Sequence, residues 1–221
     1  MHFFLEPLLD SKSLANLRES LICKSAEWQD GSITAGRYTK DAKNNFQLKR
    51  DTQLFRKLES QIVDAMLDHP LVRSAALPLK IHSVLFSRTE RGQGYGQHVD
   101  NPFMTGGRTD LSFTVFLSDP DTYDGGELRI QYPSYSEVYK LKAGCAIVYP
   151  SSLLHEVQPV TSGQRLAAVG WLQSAVREAS QRELLFELET ACQSLALRLG
   201  RCPELDLLYK CHANLLRRWG G

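Results

Sequence analysis

The chain has 221 residues, a size that suits one domain with an appendage and excludes two full-sized catalytic units. With 43% apolar and 23% charged residues it has the make-up of a globular domain, not of a disordered chain. Its 26 basic and 25 acidic residues leave a net charge of +1, so neither nucleic acid nor a membrane surface is expected as a partner.

Taken in chain order, Phe3-Phe4-Leu5 is cut short by Glu6 and Asp10 with no basic stretch before it, which argues against a secretory signal. From Ser11 to Leu21, the residues Leu14, Leu17 and Leu21 recur at helical spacing behind the capping candidates Asp10 and Ser11. A polar stretch rich in Gly, Lys and Asn, from Asp30 to Asn45, leads to a second helix over Thr52 to His69. Its apolar stripe is Leu54, Phe55, Leu58, Ile62 and Met66, and Pro70 stops it. Residues 1–78 thus read as an N-terminal helical support.

Between 79 and 175 the apolar period drops towards two. Short β-prone segments fall at about 79–88, 95–99, 111–118, 127–132, 136–141, 145–149, 154–159 and 166–173, with Asp124-Gly125-Gly126-Glu127 as a tight-turn signal. Eight strands without intervening helices predict an antiparallel jelly roll (a double-stranded β-helix) of two four-stranded sheets. The fold class expected is therefore a mainly β core in an α+β chain, flanked by N-terminal helices. Residues 176–221 turn helical again, with Leu184, Leu185, Leu188, Cys192, Leu195 and Leu199 on one stripe and Leu207, Leu208, Leu215 and Leu216 on another. These helices could pack against a second copy of the chain.

The cysteines Cys23, Cys145, Cys192, Cys202 and Cys211 are odd in number and form no C-x-x-C pair. Reduced thiols in a cytoplasmic protein are expected, and Cys202, Cys211 and His212 match no standard zinc spacing.

The chemistry is carried by His98-Val99-Asp100. On an extended segment positions i and i+2 face the same side, so an imidazole and a carboxylate are presented together. His155, opening a later strand, can supply a third donor across the sandwich. Two His and one carboxylate on one face of a metal leave other positions open, the arrangement of non-haem Fe(II) oxygenases. Arg165, ten residues after His155, offers a fork suited to a carboxylate. A dianion that chelates the metal at one end and pairs with Arg165 at the other describes 2-oxoglutarate. H-x-D alone is a weak signal; joined to the later His, the Arg and the strands around them it becomes strong. His2, His69, His82 and His212 read as structural histidines.

The sequence also resembles a known family. Gly94-Tyr95-Gly96-Gln97-His98-Val99-Asp100-Asn101, Arg108-Thr109-Asp110-Leu111-Ser112, Phe116-Leu117-Ser118-Asp119-Pro120, Tyr123-Asp124-Gly125-Gly126-Glu127-Leu128 and Tyr149-Pro150-Ser151-Ser152 are similar to the bacterial PKHD-type hydroxylases. So are Phe186-Glu187-Leu188 and Asn214-Leu215-Leu216-Arg217-Arg218-Trp219 in the tail, and the resemblance covers nearly the whole chain. These are Fe(II)/2-oxoglutarate dioxygenases related to the prolyl 4-hydroxylase catalytic domain. The resemblance implies iron on His98, Asp100 and His155, the distal carboxylate of 2-oxoglutarate on Arg165, and Tyr95 and Trp171 in the co-substrate and substrate cavity. It implies O2 as oxidant, succinate and CO2 as products, and L-ascorbate as a protector of the iron.

One departure stands out. Many relatives carry Asn-Arg-Tyr before the H-x-D, whereas this chain has Ser87-Arg88-Thr89, so water or another hydroxyl, such as Thr114, must take the tyrosine's place. Trp171, in an apolar strand, reads by itself as a core residue, and the loop from Pro102 to Arg108 is expected to cover the site. The substrate, a small molecule or a peptide, is not identified by the sequence. A jelly-roll sensor without turnover and a zinc hydrolase are the alternative readings of the same ligands.

Overall fold

The computed structural model describes residues 1–36 and 40–221. Strand β1 (Phe3–Leu5) precedes helix α1 (Ser11–Ile22), whose first turn is capped by Asp10, its carboxylate accepting from Ser13 N at 2.8 Å. Short strands β2 (Trp28–Asp30), β3 (Lys43–Asn44) and β4 (Phe46–Leu48) follow. Helix α2 (Gln53–Asp68) is capped by Thr52, whose hydroxyl accepts from Phe55 N at 3.0 Å. The long strand β5 (Pro78–Glu90) leads to β6 (Gly94–His98) and to the hairpin β7 (Phe103–Met104) and β8 (Gly107–Arg108). Then come β9 (Leu111–Phe116), β10 (Tyr123–Gly125), β11 (Leu128–Gln131), β12 (Ser136–Tyr139), β13 (Ala146–Pro150), β14 (Leu154–Val157) and β15 (Val160–Ser174). Helices α3 (Ala179–Leu199) and α4 (Pro203–Trp219) close the chain.

All eight expected strands are present and they divide four and four. β13, β9, β15 and β5 are consecutive in the larger sheet, while β12, β11, β14 and β6 are consecutive in the smaller. The sheets are nonetheless larger than two sets of four. β1 extends one edge of the first sheet, β4 and β2 the other, β10 pairs with β15, and β3 extends the smaller sheet beside β6. The polar stretch from Asp30 to Asn45 thus contributes strand as well as turn; its residues 37–39 lie outside the described residues. The N-terminal part is more than helical support, because it builds an edge on both sheets. β15 also begins six residues before its expected start, since Tyr123–Gly125 pairs with its polar first turn.

Period-two alternation decides what faces where. Leu111, Phe113 and Val115 of β9 join Phe86 of β5 and Val148 of β13 in the main core, packed with Phe55, Leu58, Ile62 and Met66 of α2 and Leu17 and Leu21 of α1. The alternate residues of β9 point between the sheets: Phe116 packs with Leu128, Ile130, Ile147 and Tyr149, while Ser112 and Thr114 line a cavity. One sheet therefore carries a greasy outer face against helices and an inner face that grades from apolar to polar.

The C-terminal helices are less buried than their leucine stripes suggest. In α3 the buried side chains are Arg182, Leu185 and Cys192, and in α4 only Leu205 is buried. Leu197 is 90% exposed, and Leu184, Leu199 and Leu207 are exposed too. All five cysteines are free thiols. No helix among the described residues is long and apolar enough to cross a membrane.

Candidate active site

β6 and β14 are antiparallel neighbours, and their register sets His98 directly opposite His155. The two rings lie 4.2 Å apart between centroids. Asp100, two residues beyond His98, turns its carboxylate to the same point: Oδ1 is 4.0 Å from His98 Nε2 and Oδ2 is 3.6 Å from His155 Nε2. The three donor atoms fall within 4.8 Å of one another, and among the described residues they form the one such group of His, Cys, Asp and Glu side chains. Cys202, Cys211 and His212 form no such group.

Each imidazole is held by the backbone. His98 Nδ1 is 2.8 Å from Gly96 O and His155 Nδ1 is 3.0 Å from Leu153 O. Nδ1 therefore carries the proton, and Nε2 presents its lone pair inward, the tautomer that a metal ligand needs. Burial, reinforced by the neighbouring His155, pulls His98 down to about 4, so it is neutral and ready to ligate near pH 7. Ser112 Oγ donates to Asp100 Oδ2 at 2.6 Å and lies 2.8 Å from Ser151 Oγ, which donates to it in turn. Tyr95 stacks on His98 with centroids 3.6 Å apart and planes 20° from parallel.

Arg165 is only 2% exposed and stands in β15 opposite Thr89 of β5. Its Nε and Nη2 have no partner, an arrangement that a buried cation tolerates poorly and that a ligand carboxylate would satisfy. Burial draws its pKa down, opposed by Tyr123, Tyr149 and Glu127. Gly126, at φ +68°, makes room for it: a Cβ there would lie 3.0 Å from Arg165 Cδ.

The cavity joining these groups has a volume of about 1050 Å³. Tyr95, Thr114 and Trp171 all line it. For Trp171 this corrects its reading as a core residue: on the inner side of β15 it reaches the cavity, and its Nε1 has no partner. Thr89 is 1% exposed, and a phenol hydroxyl is present nearby on the cavity wall in the buried Tyr149, bonded to Thr114 and pushed well above the usual phenol range by burial. The loop from Pro102 to Arg108 forms the hairpin β7–β8 and contributes Phe103, Met104 and Thr105 to the cavity wall. Of the remaining histidines, His82 Nε2 contacts Arg108 O at 3.1 Å, His2 Nδ1 lies 3.0 Å from the Tyr132 hydroxyl, and His69 Nδ1 accepts from Leu71 N at 3.2 Å.

Several residues of the site escaped the sequence. Ser112 and Ser151 lie inside the segments that carry the family resemblance, and the alternation of β9 was the signal that could have turned Ser112 towards Asp100. Lys43 and Asn45 lie in the polar stretch and Gln47 just beyond it, and none carried such a signal. They form a second wall, with Lys43 drawn down to about 8 by burial, an effect that Asp100 partly offsets.

Comparison with known proteins agrees with this geometry. Residues 84–173 match the 2OG-Fe(II) oxygenase superfamily, and residues 180–221 match the PKHD-type hydroxylase C-terminal domain. A PKHD-type hydroxylase of Prochlorococcus marinus (strain MIT 9303) is 47% identical over 220 residues, covering 100% of both chains. One of Acaryochloris marina is 48% identical over 97% of both. Among solved structures, a Pseudomonas putida prolyl-4-hydroxylase superposes with a TM-score of 0.60 at 20% identity, covering 78% of this chain and 92% of that one. A Trichoplax adhaerens prolyl hydroxylase, solved with a peptide fragment, gives 0.59 at 16% identity, covering 83% and 86%. At these identities the structures speak for the jelly-roll fold.

Proposed function

The chain belongs to the PKHD-type hydroxylases and is an Fe(II)- and 2-oxoglutarate-dependent dioxygenase, and we propose that His98, Asp100 and His155 hold its iron while Arg165 anchors 2-oxoglutarate. The convergence of three buried donors on one point carries this assignment. Two imidazoles and one carboxylate suit a ferrous ion and leave positions open for co-substrate and O2. When bound, iron and 2-oxoglutarate supply oxidative decarboxylation to succinate and CO2 coupled to hydroxylation of a substrate C–H bond.

The chain's own residues then have separable tasks. Ser112 and Ser151 fix the Asp100 carboxylate, and the carbonyls of Gly96 and Leu153 fix the two imidazoles. Arg165 spends its two orphaned donors on the distal carboxylate of 2-oxoglutarate. Tyr149 with Thr114 provides the hydroxyl that Thr89 is too short to supply. Trp171 and Tyr95 shape the substrate side, Tyr95 also holding the His98 ring in place. The substrate is a small molecule or a peptide, and ascorbate would return iron oxidised in unproductive turnover to the ferrous state. Five free thiols suit a cytoplasmic setting, and exposed leucines on α3 and α4 suit self-association.

The test begins without oxygen. Fe(II) and 2-oxoglutarate added to the purified protein should give a weak visible charge-transfer band, and admitting O2 should then yield succinate. His98→Ala should give neither, whereas a normal band and normal turnover in that variant would overturn the ligand assignment. A band with no succinate across a broad substrate panel would favour the sensor. Resident zinc with indifference to 2-oxoglutarate would favour the hydrolase.

A further inference from the structure

Lys43 is the odd residue of the cavity. It is 8% exposed, yet among the described residues no carboxylate lies within ion-pair distance of its ammonium. Its Nζ donates to Thr34 Oγ1 at 2.9 Å and stands 5.0 Å from the centre of the Tyr95 ring. The Thr34 hydroxyl is in turn committed to Gln47 Oε1 at 2.7 Å, so it serves Lys43 as a neutral acceptor. A buried ammonium held only by a hydroxyl and a ring face is costly to keep charged unless a counter-ion arrives.

The charges lining the cavity indicate what that counter-ion is. Asp100 is the one acidic side chain on the described wall, against Lys43, Arg50 and Arg165. On the reading above, the ferrous ion and Arg165 are balanced in full by Asp100 and the two carboxylates of 2-oxoglutarate. Nothing then remains for Lys43. Arg50 is exposed, and its Nη2 donates to Val84 O at 3.1 Å, so it faces bulk solvent where Lys43 is buried. Of the other unpartnered groups on the described wall, Trp171 Nε1 is a donor without an acceptor and Asn45 Oδ1 an acceptor without a donor, so a carboxylic acid with a further polar group would suit both.

We propose that the primary substrate is a carboxylic acid whose carboxylate pairs with Lys43 on the N-terminal wall. This rests on the iron and 2-oxoglutarate reading and adds the substrate's class to it. The position of the acid follows from the register that sets Lys43 opposite Tyr95, because the Tyr95 ring has the ammonium 5.0 Å from its centre and itself stacks on His98. The anion therefore lies one aromatic ring away from a metal ligand. The carbon that is hydroxylated is only a few bonds from the carboxylate.

Matched acids and amides test this in the full chain loaded anaerobically with Mn(II) and saturating 2-oxoglutarate. The probes are 3-phenylpropanoate against 3-phenylpropanamide, hexanoate against hexanamide, and N-acetylproline against its amide. The paramagnetic relaxation of their protons reports binding near the metal. At least one acid should bind about tenfold more tightly than its amide, the amide having lost the ionic half of a charge-assisted pair. Lys43→Gln should erase that preference and Lys43→Arg should restore it, with circular dichroism confirming that both variants fold. Equal binding of acid and amide, no binding of any acid, or a preference that survives Lys43→Gln would overturn the proposal while leaving the iron site intact. Failure of Mn(II) itself to bind would instead strike the underlying metal assignment, and the substrate class with it.

Discussion

The cavity has two walls of different origin. One is made by the jelly-roll strands β6, β9, β14 and β15, where backbone carbonyls hold His98 and His155 and serine hydroxyls hold Asp100, while Arg165 keeps two donors unpartnered. The other is made by β3, β4 and the turn before them, where Lys43, Thr34 and Gln47 form a chain of contacts built onto the sheet edge. On the proposed reading the first wall holds the metal ligands and the co-substrate anchor. The second presents a cation and amides that this chemistry does not use. Chemistry and selectivity would then be carried by structurally separate parts.

Substitutions that act on one wall alone sharpen this contrast. The largest effect is expected from Asp100→Ala, which removes the only anionic ligand: iron retention measured by elemental analysis and succinate formation should both fall below detection. Arg165→Gln should leave iron in place but raise the 2-oxoglutarate requirement by about 30-fold or more in a succinate assay, since breaking a buried charge pair costs roughly 2–5 kcal/mol. Ser112→Ala frees one carboxylate oxygen of Asp100 and should weaken metal binding about tenfold, at the low end for an outer-shell partner, in a Mn(II) titration.

On the other wall, Gly31→Ala would put a Cβ 1.8 Å from Asn45 Oδ1, and the displaced amide would strain the segment that carries Lys43. A loss of about 1–3 kcal/mol in denaturant unfolding is expected, with metal affinity in the folded protein unchanged. A parallel loss of metal affinity would show that the walls are coupled after all. Smallest of all, Leu197→Glu on the exposed face of α3 should move stability by less than about 0.5 kcal/mol.

What the sequence made legible follows the same division. β9 and β13 are short and buried on both faces, so composition and period two mark them plainly. His98, Asp100 and His155 could be paired because i, i+2 spacing is a local property and the strand count implied a sandwich that returns late strands to early ones. The N-terminal edge strands could not be seen: β3 has two residues, Lys43 and Asn44, whose composition is that of a solvated turn. Nothing local tells a lysine that its neighbour across the sheet is Tyr95. The start of β15 was hidden for a related reason, since Thr161, Ser162, Gly163 and Gln164 become strand only through pairing with β10 and β5. Trp171 reads as apolar wherever it occurs; only the register of β15 sends it inward to the cavity.

The backbone carbonyls that clamp His98 and His155 have a consequence for how the protein acquires its metal. With both rings aimed at one point by backbone carbonyls, the proposed ligand set would accept cobalt, nickel, copper or zinc as well as iron. Intrinsic affinity for such ligands rises along the first-row series past iron. Two imidazoles and a carboxylate do not by their type reverse that order. On the proposed reading, correct loading would then depend on the supply of divalent ions around the protein, and excess zinc or nickel would give a well-folded but silent enzyme.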